Sequence, residues 1–208
     1  MKGHKFGNTR RLLKMAFKME GYVLKKYESD SKEETVVIPE GTKVIDRIAF
    51  MYRRDVKSVV IPDTVEEIGY SAFEESGIKS IVIPDSVTKM GSEIFTECRN
   101  LVSVVIGRGI TKLDTRTFRS CQSLEHLELP AGLEKIGSDR FEECYTLKKV
   151  WVDGVEYSIR DSKAPKPVQL VYDSIEASRM KIVRYYESGL MDEFEYADYQ
   201  IAGDGYSF

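Results

Sequence analysis

Hydrophobic positions recur along the middle of the chain with a period of 22 or 23 residues. An Ile or Leu, in four cases followed by Pro, occurs at intervals of 23, 22, 23 and 23 residues: Ile38, Ile61, Ile83, Ile106 and Leu129. A phenylalanine follows in the same register at Phe50, Phe73, Phe95, Phe118 and Phe141. Two independent landmarks in one register indicate stacked repeats, because a unit of this size cannot bury its own apolar face.

Within each repeat, the pattern predicts a strand, a turn, a second short extended piece and a compact turn. In the strand segment Leu124–Leu129, the first, fourth and sixth residues are apolar and should point into the core. The proline that follows most strands should end the hydrogen-bond ladder, because proline has no N–H to donate. The phenylalanine rings should stack between this sheet and a second wall, predicted to contain Ile45, Ile68, Met90, Leu113 and Ile136. The period predicts a leucine-rich-repeat right-handed solenoid with a parallel sheet.

The pattern divides the chain into three regions. Residues 1–35 are predicted to form a basic segment and a capping hairpin, residues 36–152 a solenoid of five repeats, and residues 153–208 a hairpin, an amphipathic helix and an acidic tail. Hairpins are predicted at 17–27 and 151–159, where strand-like runs flank a two-residue turn. The helix should end at Gly189, and its apolar positions are Val168, Val171, Tyr172, Ile175, Ile182 and Tyr186. Such a helix is marginal alone, so it must pack on the solenoid, on another copy or on a partner.

Composition and charge narrow the class of protein. The 208 residues are 42% hydrophobic and 31% charged, which is typical of a globular domain, and no apolar run is long enough to span a membrane. The net charge of −3 gives no general attraction to nucleic acid. The charge is uneven, because residues 1–26 hold eight Lys or Arg and one acid, whereas residues 187–208 hold six acids and no Lys or Arg. We expect a cytoplasmic protein, since no signal peptide is visible, or a cell-surface protein if an export signal is missing.

Three cysteines lie three residues after successive phenylalanines, at Cys98, Cys121 and Cys144. Stacked Cβ vectors run parallel, which disfavours a disulfide, so buried thiols that act as small hydrophobes are the favoured interpretation. A zinc site needs about four ligands, and only His4 and His126 could add to the thiols. Because the chain also lacks nucleophile, phosphate-loop, dinucleotide and HExxH motifs, we predict no catalytic residue, no metal and no cofactor.

The outward positions of the strands form two ladders. One contains Thr35, Ser58, Ser80, Ser103, His126 and Lys149, and the other contains Val37, Val60, Val82, Val105, Glu128 and Trp151. A stripe of exposed valines indicates an interaction surface or a face that the protein itself covers, although valine also simply favours strands. The tryptophan is a candidate anchor for a partner. The candidate protein-binding face comprises Val60, Val82, Val105, Ser103, His126, Glu128 and Trp151.

The segment IPDTVEEIGYSAF, with C-x-x-L-x-x-V at the next strand, resembles the BspA-like, treponemal-type class of bacterial leucine-rich repeats. The resemblance extends over roughly residues 20–152. It implies a non-enzymatic module that binds an unidentified protein through the solenoid. The alternatives are a structural module that self-associates through the C-terminal helix and tail, and a surface adhesin if the chain is exported.

Overall fold

A computed structural model describes residues 16–29, 34–137, 141–161 and 163–187, with side chains in the final helix as far as residue 177. The predicted parallel-strand solenoid is confirmed: about five turns are stacked along one axis, and each turn contributes a longer strand to one wall and a two-residue strand to the opposite wall. The longer strands are β3 (Thr35–Val37), β5 (Ser58–Val60), β7 (Ser80–Ile83), β9 (Ser103–Ile106), β11 (His126–Leu129) and β13 (Lys149–Val152). The short strands are β4 (Val44–Ile45), β6 (Glu67–Ile68), β8 (Lys89–Met90), β10 (Lys112–Leu113) and β12 (Lys135–Ile136).

The sequence period sets the register of the longer strands. Val59 pairs with Ile81, and Ile81 pairs with Val104, so each residue faces its equivalent one repeat away. Equivalent residues therefore form straight ladders, with one side of the sheet buried and the other facing outward. The apolar positions predicted to point inward are buried in these strands, for example Val59 at 3% and Val104 at 0% exposure.

The compact turns form a third ladder of hydrogen bonds between repeats. The N–H of Phe73 donates to the carbonyl of Ile94, and the N–H of Phe95 donates to that of Thr117, each at 3.0 Å. Residues two positions before and after the phenylalanine have left-handed backbone, with positive φ, at Ile48, Tyr52, Ser71, Glu75, Glu93, Glu97, Arg116 and Ser120. This conformation lets alternate N–H groups point toward the next turn, as the donors at Ile48, Phe50 and Tyr52 all do.

The phenylalanine rings stack between the two walls, and the stack is longer than the sequence analysis predicted. Neighbouring ring centroids from Phe50 to Phe141 lie 5.1 to 5.7 Å apart. Tyr27 extends the stack, with its centroid 5.3 Å from that of Phe50, and Phe17 lies 5.1 Å beyond Tyr27. The signal was present in the sequence, because Tyr27 precedes Phe50 by the 23-residue period.

Hairpins lie at both ends of the solenoid, as predicted. At the N-terminal end, β1 (Phe17–Glu20) and β2 (Val23–Tyr27) are antiparallel, and β2 then pairs in parallel with β4. At the other end, β13 pairs with the antiparallel strand β14 (Val155–Ser158). Each hairpin gives the adjacent turn a hydrogen-bonded neighbour, which limits aggregation through open strand edges.

The predicted C-terminal helix is α1 (Lys166–Glu187), and it packs against β12 and β13. Val168 and Val171 are fully buried and Ile175 is 6% exposed, whereas Tyr172, which the helical pattern placed on the same face, is 37% exposed. The described part of the apolar face is therefore used within the chain. The predicted helix end at Gly189 and the acidic tail lie outside the described residues.

Candidate functional site

The outward side of the longer strands carries the predicted ladders side by side. Glu128 pairs with Val105 on one side and with Trp151 on the other, and Ser103 pairs with His126. The two ends of the valine ladder differ in exposure: Val60 is 48% and Val82 is 59% exposed, whereas Val105, Glu128 and Trp151 are half-buried. Val37 on β3 is 58% exposed, so the described residues present an aliphatic stripe that is exposed from β3 to β7 and half-buried beyond.

A groove of about 680 Å³ crosses the outer surface of β5, β7, β9 and β11. Val60, Val82 and Val105 form its floor. It is referred to below as the groove. Ser103 and Glu128 also line it, so the structure brings five of the seven predicted residues together. His126 and Trp151 do not line it.

His126 and Trp151 instead contact each other beside the groove. Their ring centroids are 4.1 Å apart and the ring planes are inclined by 36°. The two residues lie on the neighbouring strands β11 and β13, in adjacent outward ladders, and both are half-buried. The pair continues the surface toward β14, and its two flat rings offer an aromatic platform at that end.

The structure also adds acidic residues that the sequence analysis did not include in the candidate binding face. Asp63 and Asp85 directly follow the prolines that come after β5 and β7, and both line the groove. Asp153 lines it near Glu128. The useful signal was the repeated Ile-Pro-Asp sequence, which places a carboxylate at the same end of successive strands.

Asp63, Asp85 and Asp153 are referred to together as the acidic rim of the groove. Contacts between successive repeats position part of this rim. A carboxylate oxygen of Asp85 accepts a hydrogen bond of 2.7 Å from the backbone N–H of Arg108, one repeat further on. The backbone at Gly107 lies so close to Pro84 that a Cβ there would fall 2.5 Å from the Pro84 carbonyl carbon. Glycine at this position therefore permits the fourth repeat to approach the third at the edge of the groove.

The cysteines lie in the core, away from the groove. The Sγ–H of Cys98, Cys121 and Cys144 donates to the carbonyl of the phenylalanine one repeat earlier, at 3.0 to 3.1 Å. All three thiols are free and buried, in agreement with the favoured interpretation. Burial raises the pKa of Cys98 to about 12 and raises those of Cys121 and Cys144 well above the ordinary value. These thiols therefore stay protonated and are poor nucleophiles in the folded protein.

The described part of the chain offers neither a metal-binding cluster nor a membrane-spanning helix. Within it, no group of three or more His, Cys, Asp or Glu residues is arranged to hold a metal ion. None of its helical residues belongs to a segment with the length and apolar character needed to cross a bilayer.

The fold and the repeat pattern agree with comparisons to known proteins. The sequence model of the BspA type leucine-rich repeat region matches residues 25–161 in six copies. The family model thus counts one repeat more than the five of the sequence analysis, which agrees with the place of Tyr27 in the ring stack. A comparison with curated proteins finds no significant match.

Solved structures of bacterial proteins show the same architecture. A leucine-rich repeat protein from Bacteroides ovatus is 32% identical with a TM-score of 0.52, and covers 57% of this chain. The leucine-rich repeat protein of T. pallidum is 28% identical with a TM-score of 0.57, over 62% of the chain. The pneumococcal vaccine antigen PcpA, at 24% identity, 60% coverage and a TM-score of 0.53, supports the fold alone.

The chain spans only part of each of these structures: 31% of the B. ovatus protein, 62% of the T. pallidum protein and 34% of PcpA. The family assignment therefore concerns the repeat region, which the matched residues 25–161 cover almost from hairpin to hairpin. With its period, its stacked aromatic rings and this match in agreement, the chain belongs to the BspA-type leucine-rich repeat family.

Proposed function

We propose that this protein is a non-catalytic recognition module that binds another protein through the groove. The observation that carries the proposal is the row of exposed valines on its floor, where Val82 alone leaves 59% of its surface in water. Burial of such an apolar surface against a partner is favourable. Because β-branched side chains have few rotamers, binding would order them at little entropic cost.

The rigidity of the sheet also supports recognition. The floor residues sit on strands whose inward neighbours are fully or almost fully buried, such as Val59, Ile81 and Val104. A surface held in this way loses little conformational entropy on binding, which favours affinity for a partner of matching shape. Trp151 and His126 extend the surface with aromatic area, the kind of contact that often contributes most to interface energy.

Two features support a non-catalytic role. The buried thiols have raised pKa values and stay protonated, so they do not supply a nucleophile, and the imidazole of His126 packs against an indole ring. Self-association through the C-terminal helix is the weaker alternative, because Val168, Val171 and Ile175 are already covered by the solenoid.

The proposal is tested by affinity capture from native lysate with quantitative mass spectrometry. The wild-type chain is compared with Val82→Lys/Val105→Lys, which places two cations on the floor while leaving the core untouched. The matched control is Val102→Lys/Val155→Lys, two valines that are 39% and 53% exposed and do not line the groove. Circular dichroism confirms that all three proteins are folded.

The proposal predicts that specific proteins are captured by the wild type and the control but not by the groove variant, and that at least one of them, purified, binds directly. Equal capture by all three folded proteins would contradict it. In that case, a binding surface would be sought outside the groove, first in residues 178–208.

A further inference from the structure

Several acidic side chains outside the groove form ion pairs between neighbouring turns, whereas those that line the groove form none with another described residue. Ion pairs link neighbouring turns one repeat apart, with N–O distances of 2.5 to 3.8 Å: Lys43–Glu66, Lys89–Glu67, Arg116–Glu93 and Arg119–Glu142. By contrast, Asp63, Asp85, Glu128 and Asp153 line the groove and form no ion pair with another described residue.

The charge of the groove is therefore one-sided. Four carboxylates line it, and Arg108 is the single cationic residue in the described lining. Lys57 and Lys79 precede β5 and β7 at the opposite ends of the strands, outside the lining. Asp63, Asp85 and Asp153 thus lie just beyond the ends of β5, β7 and β13, and Glu128 lies on β11 beside Val105.

A partner must complement both features. The aliphatic floor requires apolar side chains, and the carboxylates beside it, which have no cationic partner among the described residues, favour Lys or Arg and disfavour acidic groups. The groove crosses three inter-strand steps from β5 to β11, about 14 Å in total, which about four or five residues of an extended chain would cover. Nucleic acid has no aliphatic side chains, and the carboxylates of the groove would repel its negative charge.

From this arrangement we infer that the groove takes an extended polypeptide segment of a partner protein that combines aliphatic side chains with Lys or Arg. The inference rests on the proposed function and specifies the chemistry of the partner at the same surface. The aliphatic side chains cover Val60, Val82 and Val105, and the cationic ones approach Asp63, Asp85 and Glu128.

The test selects random twelve-residue peptides displayed on phage against the immobilised full-length protein. Phage that also bind folded Val82→Lys/Val105→Lys are removed. The inference predicts that the retained peptides are enriched in Lys or Arg and aliphatic residues. Synthetic copies, followed by fluorescence anisotropy, should bind more weakly as salt concentration rises, because added ions screen the attraction.

A charge-neutralising pair makes the test specific. Asp63→Asn/Glu128→Gln should weaken binding of a selected peptide about tenfold, whereas the control Glu134→Gln/Asp173→Asn removes the same charge from residues outside the groove and should leave it unchanged. Thermal unfolding of each variant checks that the two pairs are equally stable.

Several outcomes would overturn the inference. Groove-dependent peptides that are neutral or acidic would refute the partner chemistry while leaving the proposed function intact, and so would a failure to recover any groove-dependent peptide if lysate capture still shows a groove-dependent protein. Dimerisation abolished by Val82→Lys/Val105→Lys would assign the groove to a second copy. A cross-link from the chain's own residues 1–15, which hold five Lys or Arg and no acid, would assign it to that segment.

Discussion

Single backbone positions decide whether neighbouring repeats can approach each other. The second repeat is one residue shorter than the others, and Gly77 lies in its shortened turn. The glycine is buried, its N–H donates to the carbonyl of Arg53 at 3.0 Å, and a Cβ at this position would fall 2.1 Å from the Arg54 carbonyl oxygen. The short turn therefore depends on the absence of a side chain.

We expect Gly77→Ala to lower the free energy of unfolding by about 1 to 3 kcal/mol, because the backbone of Arg54 must move to admit the methyl group. Gly132→Ala is the matched control, since a Cβ at Gly132 meets no atom within 4 Å. Chemical denaturation measures both variants. Equal stability of the two would show that the close approach at Gly77 does not matter.

Each buried thiol is kept protonated by its surroundings. At pH 8 we therefore expect none of the three cysteines to react with an aromatic disulfide reagent in the folded protein, and all three to react after denaturation. Absorbance of the released thiolate measures the count. Rapid reaction of one thiol under native conditions would contradict its placement in the core.

The same thiols should make stability depend on alkaline pH. Burial raises the pKa of Cys98 to about 12, so above the ordinary thiol pKa the unfolded chain loses this proton while the folded chain retains it. The unfolded state then binds fewer protons, and the free energy of unfolding falls as pH rises from about 9 toward 12. A Cys98→Ala/Cys121→Ala/Cys144→Ala variant should lose stability less steeply over this range, measured by denaturation at fixed pH values.

The repeat is the element that gives the fold, and its central component is the ring stack. Phe95 has no exposed surface and its ring lies between those of Phe73 and Phe118. Tyr27 is 3% exposed and stacks on Phe50, and the guanidinium of Arg53 lies over the Tyr27 ring, 4.9 Å from its centroid. The N-terminal hairpin thus contributes the Tyr27 ring, which covers the end of the phenylalanine stack at Phe50.

Truncation of single side chains to alanine tests whether Tyr27 and the phenylalanines form one continuous stack. Phe95→Ala should cost about 3 to 5 kcal/mol, and Tyr27→Ala a cost of the same order, because each opens a cavity in the same stack. Tyr27→Phe is the control, since it keeps the ring. Denaturant titration measures the three variants, and a Tyr27→Ala cost below about 0.5 kcal/mol would mean that the hairpin is not part of the core.

The elements that the sequence predicted are those that a period can encode. The strand register, the phenylalanine stack and the buried cysteines follow from equivalent positions in successive repeats, since stacking places such residues next to each other. The role of Tyr27 was missed because its segment was interpreted only as a hairpin. The left-handed residues beside each phenylalanine had no signal, because Ile48, Glu97 and Arg116 share no side-chain property.

The surface proposed for binding was predicted less completely than the fold. The valine ladder follows from strand alternation, so Val60, Val82 and Val105 were identified directly. The depth of the groove and its acidic rim depend on how the strand ends and turns stack in space, which alternation does not describe. Asp63 and Asp85 therefore emerged as lining residues only in the structure, and the contact between His126 and Trp151 likewise required the positions of both rings.

In the molecule as a whole, the surface proposed for recognition is separate from the parts that stabilise the fold. The hairpins and α1 cover the ends of the solenoid, and ion pairs link neighbouring turns outside the groove. The groove combines exposed aliphatic side chains with carboxylates that form no ion pair with another described residue. The exposed valines are the main reason for assigning recognition to the groove, and the carboxylates specify the chemistry of the inferred partner.

The most direct test is the affinity of a captured partner for three folded proteins, measured by isothermal titration calorimetry: the wild type, Val82→Lys/Val105→Lys and Val102→Lys/Val155→Lys. We expect the groove variant to bind about tenfold or more weakly, while the control binds as the wild type does. Equal dissociation constants for all three would contradict the claim that the groove is the recognition surface.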